Sequence, residues 1–531
     1  MLGGELASHF LSVVLLTLFI APLVLWRYRR AVLAGMLGGA GHKLAVPPVP
    51  MVAAAATPAA AAPAIDGSGA RLAWERRVRP RILATALLAT AVPSLLMAAH
   101  YLWMGGQPLT PAHLWLKAGA TCSAAVPIFA VLTATPFWRA LRLWVITLLA
   151  LAAAGVLLSM LQRPFYGKAP SLDQLLNFLV FFQLAGFTLW VPMLLGLATG
   201  ARRVRGVAPI TFASLFVFGL APLFGRHFTQ WLSGTTTGTS WLLSGAGLDT
   251  GFVVVALPFG LLAWLRLKAL ARAYDAKRFS DAQLLAHTWW LLIVAGNAVE
   301  LVSVHPSRAA VFGTLALSVV AYAVFPPLLA WGLRWAHASQ QRPAPRTLLL
   351  LRVFGDTVRT EALFDRIALR WQLFGPVTMI AAPDVVARTV DPGDLLRFSQ
   401  GHIGATFVNS QADLDRRLAT LDRAPDPDGR YRLNEFCCHD STWQATVVAL
   451  MHHADAVVMD LRGFTAQRLG CEFELRQLGQ RLRADQVVLI VDASTDRALL
   501  DHYRTVGNAR MQVVEDPRGQ AAFKALLRAA I

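Results

Sequence analysis

A chain of 531 residues that is 56% hydrophobic, with a mean hydropathy of +0.50 and a net charge of +18, is too apolar for an ordinary soluble protein. All of that charge precedes residue 346: the first 345 residues hold 26 Lys and Arg against 8 Asp and Glu, and the remainder 23 against 23. Basic residues scattered between apolar runs form no continuous patch for phosphates, so composition argues against a nucleic-acid partner and for the lipid bilayer.

In chain order the apolar runs are 11–26, 82–103, 118–137, 143–161, 175–199, 208–225, 251–264, 288–304 and 310–333. Stretches of about 18 or more apolar residues can cross the hydrocarbon, so these runs predict a polytopic α-helical membrane domain of about nine transmembrane helices. With the N-terminus outside, 21 Lys and Arg fall in inner loops and 5 in outer ones, the bias expected of a multi-pass protein. No basic residue precedes the first run, and Arg27, Arg29 and Arg30 follow it directly. Residues 1–44 therefore read as an uncleaved transmembrane anchor with an outer N-terminus.

Residues 45–70 are mostly Ala and Pro and read as a linker, which leaves 71–340 as the helix bundle. Rich Ala and Arg usage with few Lys suggests a bacterial source, and so the plasma membrane. Within the bundle Asn297, Glu300 and Ser303 share one helix face and suit either an ion or substrate path or an interhelical hydrogen bond. Four cysteines form no C-x-x-C pair; Cys437 and Cys438 beside His439 invite a metal, but adjacent cysteines diverge from a strand and read better as buried thiols.

Residues 346–531 alternate strand and helix. Strands are expected at 347–354, 376–381, 404–408, 456–460, 486–491 and 511–514, with a further strand or hairpin over 430–438. The runs LLLL, AVVM and VVLIV are continuously apolar, as strands covered on both faces must be, which predicts a cytoplasmic α/β domain with a mostly parallel, doubly wound sheet.

Ligands of such sheets bind beyond the carboxyl ends of the strands. Two loops there carry the candidate ligand-binding residues: Gly355 and Asp356 after the first strand, and Arg462 and Gly463 after Asp460. Neither G-x-G-x-x-G nor G-K-[ST] occurs, which removes the usual phosphate-binding loops. The helix over 467–482 buries Cys471, Leu475, Leu478 and Leu482, with Glu474 to one side of that stripe in its first turns, bordering the cleft. Glu472 is expected to pair outward with Arg476, and Phe473 to point away.

The stretch ADAVVMDLRGFTAQRLGCEFEL, from Ala454, resembles the segment of TIR domains in which an apolar strand leads to a W-C-x-x-E-L helix start. Cys471, Glu474 and Leu475 match its Cys, Glu and Leu, while Gly470 stands where Trp is usual. VFGDTVRTEALFDRI, from Val353, resembles the first strand and helix of that fold. Nucleoside deoxyribosyltransferase-like domains share the strand, the Asp-containing loop and the Gly-then-Glu helix. Both groups act at N-glycosidic bonds, so the resemblance implies catalysis by Glu474, with NAD or a nucleoside as substrate. Position in the loops adds Asp460 or Asp356 for ribose hydroxyls and Arg462 or Arg352 for phosphates.

Three functions follow. The first is a membrane-anchored, nucleotide-related signalling or effector protein that binds a nucleotide or consumes NAD, and whose helices localise it or assemble a homo-oligomer. The second is a channel or transporter gated by a cytoplasmic sensor domain, and the third a non-enzymatic membrane scaffold.

Overall fold

The computed structural model describes residues 20, 22–36, 44–46, 67–106, 109–122, 125–133, 135, 137–166, 209–210, 213, 250–304, 308–338, 344–353, 367–368, 370–381, 392–401, 403–481, 486–506, 511–515 and 525. The chain forms two units: a helical one from residues 1–24, 79–338 and 391–396, and an α/β one from residues 25–78, 339–390 and 397–531.

The helical elements are α1 (22–36), α2 (Gly67–Met104), α3 (Pro111–Cys122), α4 (Ala125–Thr133), α5 (Phe137–Tyr166), α6 (Thr250–Asp275), α7 (Asp281–Val304) and α8 (Arg308–Ala338). Among the described residues three stretches are long and apolar enough to cross a membrane: Ala73–Met104 of α2, Trp138–Leu158 of α5 and Phe312–His337 of α8. Nine such helices are not supported. The run 118–137 divides into α3 and α4, of about 18 and 14 Å at the helical rise, too short to span singly. Pro127, the third residue of α4, is tolerated in a first turn but would clash with a continuous helix before it. The runs 251–264 and 288–304 lie in α6 and α7, which are not among the three. The run 175–199, most of 11–26 and nearly all of 208–225 lie outside the described residues.

Close contacts fix the helical unit. All nine residues of α4 are buried. Trp290 of α7 is fully buried, stacks on Phe325 of α8 at 5.0 Å and donates from Nε1 to the Ala321 carbonyl at 3.1 Å. At Gly332 of α8 a Cβ would overlap Thr85 of α2, so the missing side chain lets the two helices meet. At the far end of the same pair His100 Nε2 lies 3.1 Å from Thr314 Oγ1, so α2 and α8 run antiparallel. The α6–α7 turn is closed by a reciprocal cap, in which Gln283 N donates to Ser280 Oγ at 3.1 Å and Ser280 N to Gln283 Oε1 at 2.8 Å. The amide of Asn297 donates to the Ile293 carbonyl of its own helix at 2.8 Å.

The α/β unit contains β1 (Leu348–Arg352), β2 (Val377–Ala381), the last three residues of α9 (Pro392–Ser399), β3 (Phe407–Val408), α10 (Gln411–Ala419), β4 (Leu433–Cys438), α11 (Trp443–His453), β5 (Ala456–Asp460), α12 (Leu469–Arg481), β6 (Val487–Val491), α13 (Arg497–Val506) and β7 (Gln512–Glu515). The seven strands form one sheet in the order β3-β4-β2-β1-β5-β6-β7, and every pairing is parallel. All residues of β1, β5 and β6 are buried, as strands covered on both faces require. The segment 430–438 contributes an inner strand, β4, rather than a hairpin. One face packs Val447, Met451, Leu475 and Leu478 against the sheet, and the other packs Ile367 and Trp371.

The N-terminal segment adds to this unit. Tyr28, Val32 and Met36 follow one another every four residues along α1 and are all buried. Tyr28 meets Phe398 edge-on at 5.6 Å, and a Cβ on Gly35 would come within 2.6 Å of the Phe407 ring. Leu44 N then donates to the Ser441 carbonyl at 3.2 Å, and Leu44 and Val46 join the core cluster beside α11.

Candidate functional site

The connection from β1 leads to β2 on one side of the sheet, while β5, β6 and β7 extend on the other, so β1 and β5 flank the point where strand order reverses. A crevice at the carboxyl ends of such strands is the usual ligand site of this architecture. Both strands end there in a charged residue, with Arg352 paired in register with Asp460.

Four ionisable side chains gather at this edge, all nearly out of solvent: Arg352 is 4% exposed, Asp460 1%, Arg462 6% and Glu474 2%. Arg462 turns back over the strand that precedes it. Its Nε donates to Asp460 Oδ1 at 2.9 Å and its Nη2 to Oδ2 at 2.7 Å, and its backbone N–H donates to Oδ1 at 3.2 Å. This is a two-pronged buried pair. Arg462 is thereby engaged by Asp460, and the expectation that it meets a phosphate would require breaking that pair.

Glu474 projects from α12 on the face that carries Cys471 and Leu475, and Cys471 Sγ donates to the Arg352 carbonyl at 3.8 Å. It is enclosed rather than bordering an open cleft, because Cys471 and Leu478 stand three and four residues away and share its face. Burial pushes its carboxyl up to about 8, with the nearby Arg352 charge acting the other way. At neutral pH the group is mainly a neutral acid. Its Oε2 has no hydrogen-bond partner among the described residues. A buried polar atom left so is unusual and marks a functional-site candidate.

The loop after β5 is held in place by the loop after β6. Gly463 has φ +75°, a left-handed conformation that suits glycine, and its N–H donates to Ser494 Oγ at 2.9 Å. Thr495 Oγ1 donates to the Leu461 carbonyl at 2.9 Å, and Asp496 N to the Phe464 carbonyl at 3.0 Å. Phe464 is fully buried beneath this loop. Sequence reasoning passed over Ser494 and Thr495. Their signal was the run Asp492-Ala493-Ser494-Thr495-Asp496 directly after an apolar strand, a composition suited to side-chain-braced turns.

Of the other expected residues, Gly355 and Asp356 lie outside the described residues. Glu472 faces outward as expected, accepting from Arg476 Nη2 at 3.2 Å and from the Tyr503 hydroxyl. Phe473 does not point away: it meets Trp443 of α11 edge-on at 5.5 Å. Cys437 and Cys438 are buried and in no disulfide, and burial pushes the Cys438 thiol up to about 11, which makes it inert. The neighbouring His439 shares Nε2 with Asn409 Oδ1 at 2.9 Å and stacks on Phe407 at 5.2 Å.

A buried neutral carboxyl beside a guanidinium can donate a proton in a site where water competes little. No family model matches the chain, and no curated protein and no solved structure matches it either.

Proposed function

We propose that this is a multi-pass protein of the plasma membrane whose cytoplasmic α/β domain binds a nucleotide-class ligand at the β1/β5 edge and breaks an N-glycosidic bond with Glu474 as the acid. The observation that carries this reading is the neutral, fully buried Glu474 carboxyl with an unpartnered oxygen, at the strand ends where this architecture binds ligands. The membrane assignment is supported by the three long apolar helices, and the inner location by the distribution of Lys and Arg.

A neutral acid favours a nucleoside over NAD. The base of a nucleoside departs with the bonding pair and needs a proton, which Glu474 supplies. The nicotinamide of NAD leaves as a neutral molecule and needs none. As the C1′–N bond breaks, positive charge grows on the ribose ring, water adds to C1′, and its proton returns to Glu474. The carboxylate formed midway stabilises the ring cation electrostatically. Arg352 holds that carboxylate once it is charged.

The test uses the full chain in detergent, with nucleosides and NAD offered separately. We expect base release from nucleosides that falls at least ~100-fold in Glu474→Gln. Absence of both binding and cleavage would remove the enzyme reading. The enclosure of Glu474 and the packing of Phe473 onto Trp443 favour one alternative, a non-enzymatic scaffold domain, for which Glu474→Gln leaves ligand binding undetectable and only raises stability.

A further inference from the structure

The helical unit gathers its positive charge at one end. The antiparallel pairs α2/α8 and α7/α8 bring the N-terminal half of α2, the C-terminal end of α8 and the α6–α7 turn to the same level. Three contacts fix this: Arg81 lies over the Trp335 ring at 5.7 Å, Trp290 packs on Phe325, and Tyr274 meets Phe279 at 5.9 Å. The start of α5 joins them, because Trp144 and Ala140 pack with Trp289 from the first half of α7.

At this level α2 carries Arg79 and Arg81, and α5 carries Arg139 and Arg142. From α6 come Arg266, Lys268 and Arg272, followed by Lys277 and Arg278 in the turn and Arg334 on α8. Asp275 and Asp281 lie beside the α6–α7 turn at this level, while Glu300 is carried by the C-terminal half of α7. Lys117, Arg163 and Arg308 are carried by the other elements' opposite portions, on α3, late in α5 and at the start of α8.

Tryptophans accompany the charges. Trp264, Trp331 and Trp335 are 50%, 65% and 49% exposed, and Lys268 Nζ sits 3.6 Å from the centre of the Trp264 ring. An indole on the outer face of an apolar helix beside a cation is the arrangement found at the headgroup level, where the ring is amphipathic and the cation reaches toward water. Basic clusters at that depth attract anionic lipids.

We propose that this end of the helical unit binds the phosphate headgroups of anionic phospholipids, with Trp264, Trp331 and Trp335 at headgroup depth. The proposal rests on the membrane assignment above and goes beyond it, because spanning a bilayer requires no preference among headgroups. The cations draw in the headgroup phosphate, and the charged ends of Arg81 and Lys268 lie over the Trp335 and Trp264 rings.

The test is electron paramagnetic resonance on the full chain reconstituted in phosphatidylcholine bilayers, with trace spin-labelled phosphatidylglycerol or spin-labelled phosphatidylcholine as the probe. The protein-associated fraction of phosphatidylglycerol is expected to exceed that of phosphatidylcholine by roughly 3-fold or more, and to shrink as salt rises. A variant with Arg79, Arg81, Lys268 and Arg272 each changed to Gln loses the preference. Exchanging Arg for Lys and Lys for Arg at those positions keeps it, as does Lys117→Gln at the other portion. Equal association of the two lipids with the wild type, or a preference that survives the fourfold Gln change, overturns the proposal. A chain that does not enter the bilayer at all defeats the membrane assignment first, an outcome visible before any lipid preference is read.

Discussion

The two units treat charge in opposite ways. At the edge of β1 and β5 the α/β unit encloses two arginines and two carboxyl groups, and holds Asp460 and Arg462 together by two hydrogen bonds. The helical unit keeps its described interior nearly free of charge, carries exposed arginines such as Arg266, Arg272 and Arg334 at one end, and closes its core with aromatic stacking and a glycine contact. One unit is therefore sensitive to the loss of a single proton or charge partner, the other to shape. The same substitution chemistry should have unequal effects in the two.

The largest effect should come from Asp460→Asn, which leaves Arg462 enclosed without its counter-charge and should cost about 3–5 kcal/mol. Thermal unfolding of the full chain in detergent checks this, and a change under 1 °C would mean that the pair is not enclosed in solution.

Next comes the pH response of Glu474. Its folded carboxyl titrates at about 8 against an ordinary value of 4.5, so between those values the folded state holds more protons than the unfolded one. Stability therefore declines as pH rises from 4.5 to 8 and is level on either side. Glu474→Gln should flatten that slope and gain about 4 kcal/mol at pH 8. A slope that persists in the variant would assign it to another group.

The helical unit should respond instead to bulk. Gly332→Leu forces α8 away from Thr85 and should cost about 1–3 kcal/mol with no dependence on pH across this range. Cross-linking between cysteines introduced on α2 and α8 reads the separation directly. Smaller still is Gly463→Ala, where a left-handed backbone should cost about 1 kcal/mol. Arg497→Ala, which removes an ion pair to Glu515 at 3.3 Å on the surface, should change stability by less than ~0.5 kcal/mol.

The α/β unit was legible where one physical rule acts locally. Leu348–Arg352, Ala456–Asp460 and Val487–Val491 read as inner strands because burial on both faces demands unbroken apolar sequence. Strand order was not legible, since nothing within the Leu433–Cys438 segment states that it inserts between β2 and β3. The site was half legible. Asp460 and Arg462 pair and Glu474 lies near Arg352, but the wheel set Glu474 beside the apolar stripe, whereas Cys471 and Leu478 draw its face into the core. The pairing of Arg462 with Asp460 depends on a tight backbone turn that residue types alone do not specify. In the helical unit apolarity predicted helices but not their continuity: Pro127 within the run 118–137 divides it, and hydropathy does not register that break.

The docking of α1 has a consequence for biogenesis. Tyr28 and Gly35, on the helix whose Val32 and Met36 are also buried, leave the ribosome long before their partners Phe398 and Phe407, which follow about 370 residues later. At 5–20 residues per second the stripe waits roughly 20–75 s for the surface that will cover it. During that interval its apolar side chains need a temporary host, and a ribosome-bound chaperone or the insertion machinery is suited to the task. The same topology makes the carboxyl-terminal segment a poor fragment for isolated expression. Without residues 25–46 the Phe398 and Phe407 rings and the core beside Ser441 lose their natural cover.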